Sequence, residues 1–131
     1  MFFRPEGKAV AADVIPFYEN NKFKLFYLQD YRDIKEYGEG CPWVLLETAD
    51  LVNFTNYGVV LPRGSVDEQD LYVFTGCCVK FNDEYRIYYT GHNPHKRKQG
   101  LPEQKILLAT SKDMIHWVKQ EDFCYKKLAK K

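Results

Sequence analysis

Four carboxylates stand where predicted strands begin, and carboxylates are the groups that serve nucleophilic and general acid–base catalysis. Asp13 precedes one apolar run, and Asp67, Glu68 and Asp70 precede another. From the residue types alone, Asp13 is interpreted as a strand-entry aspartate exposed to water. The other three are interpreted as a solvated acidic loop, although they could supply a second carboxylate to a site that includes Asp13.

Two histidines, His92 and His95, share one polar loop at a spacing that two metal ligands could use. The loop offers no third convergent ligand, so we predict neither a metal site nor a cofactor, and we expect both side chains to face solvent. Arg32, in an earlier polar loop, could contact a carboxylate or a ligand, but loop arginines usually face solvent.

A β-hairpin is predicted over Ala12 to Leu28, with its turn at Glu19-Asn20-Asn21-Lys22, because Asn tolerates the positive φ of such turns. The hairpin recurs at Val79 to Tyr89. The offset of 62 is given by two pairs, Phe23 with Tyr85 (85 − 23) and Tyr27 with Tyr89 (89 − 27). At the same offset Asp13 corresponds to Thr75.

A second motif also occurs twice, at Trp43 to Phe54 and at Lys105 to Trp117. Asp50 and Asp113 match at an offset of 63 (113 − 50). Each Asp follows a strand and precedes two apolar residues, where its side chain can bond the backbone of a turn. We therefore interpret both carboxylates as structural.

The repeat predicts an all-β chain of two four-stranded antiparallel propeller-type blades, blade 1 over about residues 9–62 and blade 2 over about residues 70–120. Residues 121–131 form a basic tail, and residues 1–131 form one partial propeller domain. Propellers close with about four to eight blades. Further blades could come from other chains or from a downstream half, or the two sheets could pack as a sandwich-like domain.

The formal net charge of +1 gives no field that would attract a polyanion, so no nucleic-acid or membrane partner is predicted and a small neutral partner is compatible. The sequence has no apolar signal core and no transmembrane run. Four cysteines, including the adjacent pair Cys77 and Cys78, lack zinc spacing. We interpret them as buried thiols of a reducing, cytoplasmic compartment, with an oxidised framework as the alternative.

The order of short motifs across nearly the whole chain resembles the N-terminal part of glycoside hydrolase family 32, the β-fructosidases, invertases and levanases. These motifs are the Asp13 hairpin, Trp43 before Asp50-Leu51-Val52-Asn53-Phe54, Leu61-Pro62, Phe74-Thr75-Gly76, Tyr89-Thr90-Gly91, and ATSKDMIHW ending at Trp117. The resemblance implies that the blades belong to a five-bladed β-propeller and that the partner is a small carbohydrate.

The resemblance assigns the family's catalytic nucleophile to Asp13, on the innermost strand of blade 1 and facing the propeller axis. It also implies that Trp43, Phe74 and Thr75 line the sugar site. From the residue types alone, Trp43 is a packed aromatic and Thr75 a β-branched strand residue, and both interpretations stay open. A retaining glycosidase needs such a carboxylate at the anomeric carbon and a second, protonated carboxyl about 5 Å away.

The sequence departs from the family pattern in several places. Ala12 and Val14 replace an Asn and a Pro, and Leu28 replaces a sugar-binding Gln whose role Gln29 takes if the register is shifted. The family's Arg-Asp-Pro motif and acid/base Glu have no counterpart. We expect a β-fructosidase-like fragment that binds a furanoside and hydrolyses it only if further blades complete it. The alternative is a non-catalytic sugar-binding or assembly remnant that forms homo-oligomers through open blade faces.

Overall fold

The computed structural model describes residues 3–121 and residue 123 and confirms the all-β prediction. Blade 1 contains β1 (Val10–Glu19), β2 (Lys22–Asp30), β3 (Trp43–Thr48) and β4 (Thr55–Leu61). Blade 2 contains β5 (Tyr72–Phe81), β6 (Glu84–His92), β7 (Gln104–Ser111) and β8 (Val118–Lys119). In both blades the strands lie in sequence order and pair antiparallel.

Each blade carries a short helix in the long loop between its second and third strands. The helices are α1 (Ile34–Tyr37) in blade 1 and a 3-10 helix (Pro94–Gln99) in blade 2. No helix of the described chain has the length and apolarity needed to cross a bilayer. Most of the predicted basic tail, with Cys124, lies outside the described residues.

Both predicted hairpins close through two-residue turns whose central residues have positive φ. The angles are 53° and 59° at Asn20 and Asn21, and 50° and 60° at Asn82 and Asp83. Two consecutive positive φ values define the turn whose twist matches that of antiparallel strands, and Asn and Asp tolerate it best. The turn chemistry of the sequence therefore sets the register of both hairpins.

The first strand of each blade is interrupted by a bulge. The register shifts between Ala12 and Ile15 in β1 and between Val73 and Gly76 in β5. A Cβ atom at Gly76 would lie 2.0 Å from the carbonyl oxygen of Tyr88, so no other residue fits there. Such bulges bend a strand and redirect its side chains. The two bulges lie at an offset of 61 (73 − 12 and 76 − 15), within one residue of the offset of 62 that relates the hairpins.

The core lies between the two blades, which pack face to face. The Phe26 ring lies 5.7 Å from Trp43 and 5.9 Å from Trp117, and Trp43 lies 6.4 Å from Tyr89, measured between ring centroids. The wholly buried large side chains of this core are Trp43, Tyr89, Phe26, Leu45, Leu61, Ile87 and Val73. Burial of these side chains, at about 1.5–3 kcal/mol each, holds the blades together.

A polar contact joins the blades at the hairpin end. The Glu19 carboxylate accepts hydrogen bonds from Lys80 Nζ at 2.9 Å and from the Tyr85 hydroxyl at 2.7 Å. Both hydrogen bonds lower the pKa of Glu19, and the one from Lys80 has the larger effect. The first strands are therefore fixed to each other at the end opposite the long loops.

The predicted structural role of Asp50 and Asp113 is confirmed. Each carboxylate accepts hydrogen bonds from the backbone N–H groups two and three residues later and from a Thr or Ser hydroxyl two residues earlier. Backbone donation from Asn53 holds the pKa of Asp50 well below its usual range, and the His116 side chain does the same for Asp113. Both are turn residues.

Candidate functional site

A cleft of about 350 Å³ opens between the blades where β1 and β5 bulge. Its walls are formed by Ala12, Asp13, Leu28, Asp30, Cys41, Tyr72, Phe74 and Thr75. The structure thus brings together three of the residues that the sequence singles out for a sugar site, namely Asp13, Phe74 and Thr75. The walls are a mixture of aromatic, aliphatic and carboxylate groups, as small-molecule sites usually are.

Asp13 occupies the β1 bulge with a φ of 47°, in the left-handed region, and is exposed to solvent. In the described chain the other non-glycine residues with positive φ lie in turns: Asn20, Asn21, Leu51, Asn82, Asp83 and Met114. Asp13 alone adopts this conformation inside a strand. Asp is among the few residue types that tolerate it, and the bulge places Asp13 in the wall of the cleft.

Trp43 is wholly buried beneath the cleft and is not one of its wall residues. Its indole N–H donates to the carbonyl oxygens of Val73 and Phe74, both at 3.1 Å. These two carbonyls border the β5 bulge, so Trp43 positions the strand segment that carries Phe74 and Thr75. A direct sugar contact by Trp43 stays a prediction.

Gln29 lies on the opposite side of blade 1 from the cleft walls. It pairs with Ala11 in the ladder, and its side-chain amide is engaged by the hydroxyls of Tyr27 at 3.4 Å and Tyr31 at 3.0 Å. The structure does not bring Gln29 together with Asp13. Its proposed sugar contact therefore stays a prediction without support from position.

Asp30, which the sequence reasoning missed, lines the cleft with Asp13. Its Oδ2 lies 3.4 Å from Arg32 Nε, and the Arg32 side chain is largely exposed whereas that of Asp30 is partly buried. A signal for Asp30 did exist in the period-two alternation of β2, since residues two apart share a face. Leu28 and Asp30 are such a pair, and Arg32 contacts a carboxylate at the mouth of the cleft.

An aromatic rim borders the cleft on the blade 2 side. The rings of Phe74 and His92 stack at 4.6 Å and 9°. The Tyr72 hydroxyl donates to Glu39 at 3.3 Å, and the other Glu39 oxygen lies 2.8 Å from His95 Nε2. The prediction that both histidines are simply solvated was wrong, because each packs against a residue at the rim. Residues 3–121 and 123 contain no cluster of three possible metal ligands.

Arg63 holds the long loop of blade 1 in place. Its guanidinium Nη1 donates to the carbonyl oxygens of Gly38, Glu39 and Gly40 at 3.1–3.3 Å, and it lies 5.2 Å from the ring centroid of Tyr31. This loop carries Glu39 and leads into the cleft wall. Nothing in the sequence pattern distinguishes Arg63 from a solvated arginine.

Cys41 forms the floor of the cleft but is not a reactive thiol. Its Sγ lies 3.7 Å from the carbonyl oxygen of Val73, and the side chain is buried. Burial, reinforced by the charge of Asp30, raises the pKa of Cys41 to about 12. The nucleophilic form of cysteine is the thiolate, which forms only when the thiol loses its proton. The Cys41 side chain is therefore a protonated thiol that shapes the wall of the cleft.

For Asp70 the prediction of a solvated acidic loop was wrong. It is buried, it accepts a hydrogen bond from the Tyr89 hydroxyl at 2.9 Å, and it lies 2.7 Å from Lys119 Nζ. The pKa of Tyr89 is raised mainly by burial and secondly by the negative charge of Asp70. Asp67 and Glu68 remain exposed, as expected. Asp70 thus holds the core and β8 together, away from the cleft.

Comparison with protein families gives one match over nearly the whole chain. The model of the glycosyl hydrolases family 32 N-terminal domain matches residues 5–130. No curated protein sequence matches the chain at a significant level.

Solved structures with the same fold include several glycosidases. They include a family 117 glycoside hydrolase of Zobellia galactanivorans (19% identity, TM-score 0.70, covering 91% of this chain and 35% of that one). Another is fructan 1-exohydrolase IIa of Cichorium intybus (20% identity, TM-score 0.70, covering 92% of this chain and 22% of that one). A third is the beta-fructofuranosidase of Schwanniomyces occidentalis (19% identity, TM-score 0.70, covering 92% of this chain and 25% of that one). The chain therefore spans between about a fifth and a third of the length of these proteins.

Proposed function

Because the chain belongs to the glycosyl hydrolase family 32 N-terminal domain family, we propose that its cleft binds a furanoside sugar and that Asp13 is the nucleophile of a β-fructosidase-type reaction. The single observation that carries this proposal is the left-handed conformation of Asp13 within β1, which places a carboxylate in the wall of the cleft. Unfavourable backbone conformations are concentrated at functional sites.

In the proposed reaction Asp13 attacks the anomeric carbon as the bond to the leaving oxygen breaks, and water later releases the sugar from the glycosyl–enzyme ester. The leaving oxygen needs a proton from a carboxylic acid about 5 Å from the nucleophile. We assign that acid to further blades, because the chain spans only 22–35% of the length of the three solved relatives described above. The chain alone would bind sugar without cleaving it.

Thr75→Trp tests whether the sugar occupies this cleft. Thr75 is an exposed wall residue on the β5 bulge, so an indole there fills the space between the blades. We expect calorimetric titration with fructose to detect binding to the unmodified chain and none to the variant. Thr55→Trp, the same change at an exposed position of β4 outside the cleft, is the matched control. Equal binding by both variants contradicts the assignment.

A second candidate function is that of a non-catalytic sugar-binding or assembly protein that associates through its open faces. It is favoured by the outer face of blade 2, the face turned away from blade 1. Four large apolar side chains there are 39–63% exposed: Val79, Phe81, Ile106 and Val118. An apolar sheet face of this kind favours association. The partner would be the remaining blades or a second copy of the chain.

Ile106→Lys distinguishes association through this face from a self-sufficient monomer. Ile106 is 53% exposed on β7, and a lysine there places a charge on the surface that would be buried. We expect sedimentation to show dimers or larger species for the unmodified chain and monomers for the variant. Val66→Lys, at a 52% exposed loop position, is the matched control. A monomeric unmodified chain contradicts self-association.

A further inference from the structure

We propose that Asp30 is the sugar-binding side chain that blade 1 contributes beside Asp13, and that it makes the cleft prefer neutral sugars. This inference rests on the proposed function, because it names a specificity-determining residue of the same cleft. Asp30 takes the role that the sequence suggests for Gln29. Strand register, free hydrogen-bonding capacity and charge support this assignment.

Strand register is the first ground. In the β1–β2 ladder Val10 pairs with Asp30, Ala11 with Gln29, and Ala12 with Leu28. Paired residues point to the same face of a sheet, and successive residues alternate. Asp30 therefore shares the face of Ala12 and Leu28, both of which line the cleft. Gln29 shares the opposite face.

Free hydrogen-bonding capacity is the second ground. An ionised carboxylate offers about four acceptor positions on its two oxygens. Within the described chain, the side-chain partner of Asp30 is Arg32, whose Nε lies 3.4 Å from Oδ2. Oδ1 is left to accept from a ligand, and sugar hydroxyls are the matching donors. The apolar faces of Tyr72 and Phe74 line the same cleft and suit the C–H surface of a sugar ring.

Charge is the third ground. The cleft walls include two carboxylates, Asp13 and Asp30, and no Lys, Arg or His among the described residues, and the nearby cation is Arg32, 3.4 Å from Asp30 and 65% exposed. The charges of both carboxylates reach the Cys41 thiol in the cleft wall. Burial is the main cause of the raised pKa of Cys41, and the charges of Asp30 and Asp13 raise this pKa further. Within a cleft, repulsion between like charges is screened less than on an open surface. A phosphorylated or acidic sugar therefore binds more weakly than a neutral furanoside, which can donate to both carboxylates.

The test is an NMR titration of the full chain with fructose and with fructose 6-phosphate. We expect the unmodified chain to bind fructose at least tenfold more tightly than the phosphate. Asp30→Ala should weaken fructose binding by roughly 10- to 100-fold, in line with the usual contribution of a hydrogen bond to a charged group. Asp30→Asn should weaken fructose binding less and should narrow the preference over fructose 6-phosphate, an effect that loss of structure would not produce.

Asp67→Asn removes an exposed carboxylate outside the cleft and should change neither affinity nor preference. If Asp30→Ala binds fructose as the unmodified chain does, or if Gln29→Ala causes the loss instead, the assignment of Asp30 is overturned while the cleft remains the sugar site. If the unmodified chain binds fructose but Thr75→Trp does not affect it, the cleft itself is wrong. Absence of fructose binding to the unmodified chain overturns both the proposed function and this inference.

Discussion

Replacement of Asp13 by Asn is expected to abolish furanoside hydrolysis in protein that carries the remaining blades, with a loss of roughly 10⁴-fold or more in kcat, as for other essential nucleophiles. The amide has nearly the shape of the carboxylate but is a far weaker nucleophile toward the anomeric carbon. Release of an aryl leaving group from an aryl furanoside, followed by absorbance, measures the effect directly.

Asn is the informative replacement because of the backbone at this position. Asp13 has a φ of 47°, and Asn tolerates the left-handed region about as well as Asp does. Alanine would add backbone strain to the loss of the carboxylate and would confuse the two effects. With Asn, the loss should fall on kcat, while the KM for the furanoside changes little because the amide still bonds to sugar hydroxyls.

Asp83→Asn is the matched control for Asp13→Asn. Asp83 is also exposed and has a φ of 60°, but it lies at the tip of the β5–β6 hairpin, far along the strand from the cleft. It should leave hydrolysis unchanged. Hydrolysis by Asp13→Asn at the rate of the unmodified protein would show that another group performs the attack.

The fold could be predicted because its information is local and repeated. The turns at Asn20-Asn21 and Asn82-Asp83 each fix a hairpin by backbone preference, and the same offset then aligns the two blades. The turns of Asp50 and Asp113 depend only on neighbours within five residues. Features of this kind can be deduced from a single sequence, and the structure confirms them.

The cleft could be predicted only in part because its wall depends on a bulge. Each face of a strand is set by counting in steps of two, and a bulge inserts a residue that changes the count. Because Leu28 stands where the family has a sugar-binding Gln, the neighbouring Gln29 is predicted to take its role. In the structure Asp30, and not Gln29, shares the face of Leu28. The pairing of Val10 with Asp30 becomes certain only when the ladder is known.

The residues that support the cleft could not be predicted because their partners are distant in sequence. Arg63 binds carbonyl oxygens of residues 38–40, and Trp43 binds those of Val73 and Phe74. A lone arginine or tryptophan in a sequence gives no indication of such contacts. The same holds for Asp70, because two acidic neighbours, Asp67 and Glu68, in a polar segment suggest a solvated side chain.

Asp70→Ala is expected to destabilise the fold by about 1–3 kcal/mol, the usual cost of leaving a buried polar group without its hydrogen-bond partner. The change leaves the Tyr89 hydroxyl, in the wholly buried core, without its acceptor, and Lys119 Nζ keeps only its hydrogen bond to the Pro62 carbonyl oxygen. It also releases β8, which pairs with β7 over only two residues and is held by Lys119. Urea denaturation followed by tryptophan fluorescence measures the loss as a lower midpoint.

Asp70→Asn should cost less than Asp70→Ala, because its amide oxygen can still accept from Tyr89 while the charge opposite Lys119 is lost. Asp67→Asn, at an exposed neighbouring position, should change the free energy of unfolding by less than about 0.5 kcal/mol. Lys119→Met combined with Asp70→Ala completes a double-mutant cycle in which the double variant loses less than the sum of the single changes. Additive losses would show that the two residues stabilise the blade independently, and an unchanged midpoint for Asp70→Ala would show that the buried network contributes nothing.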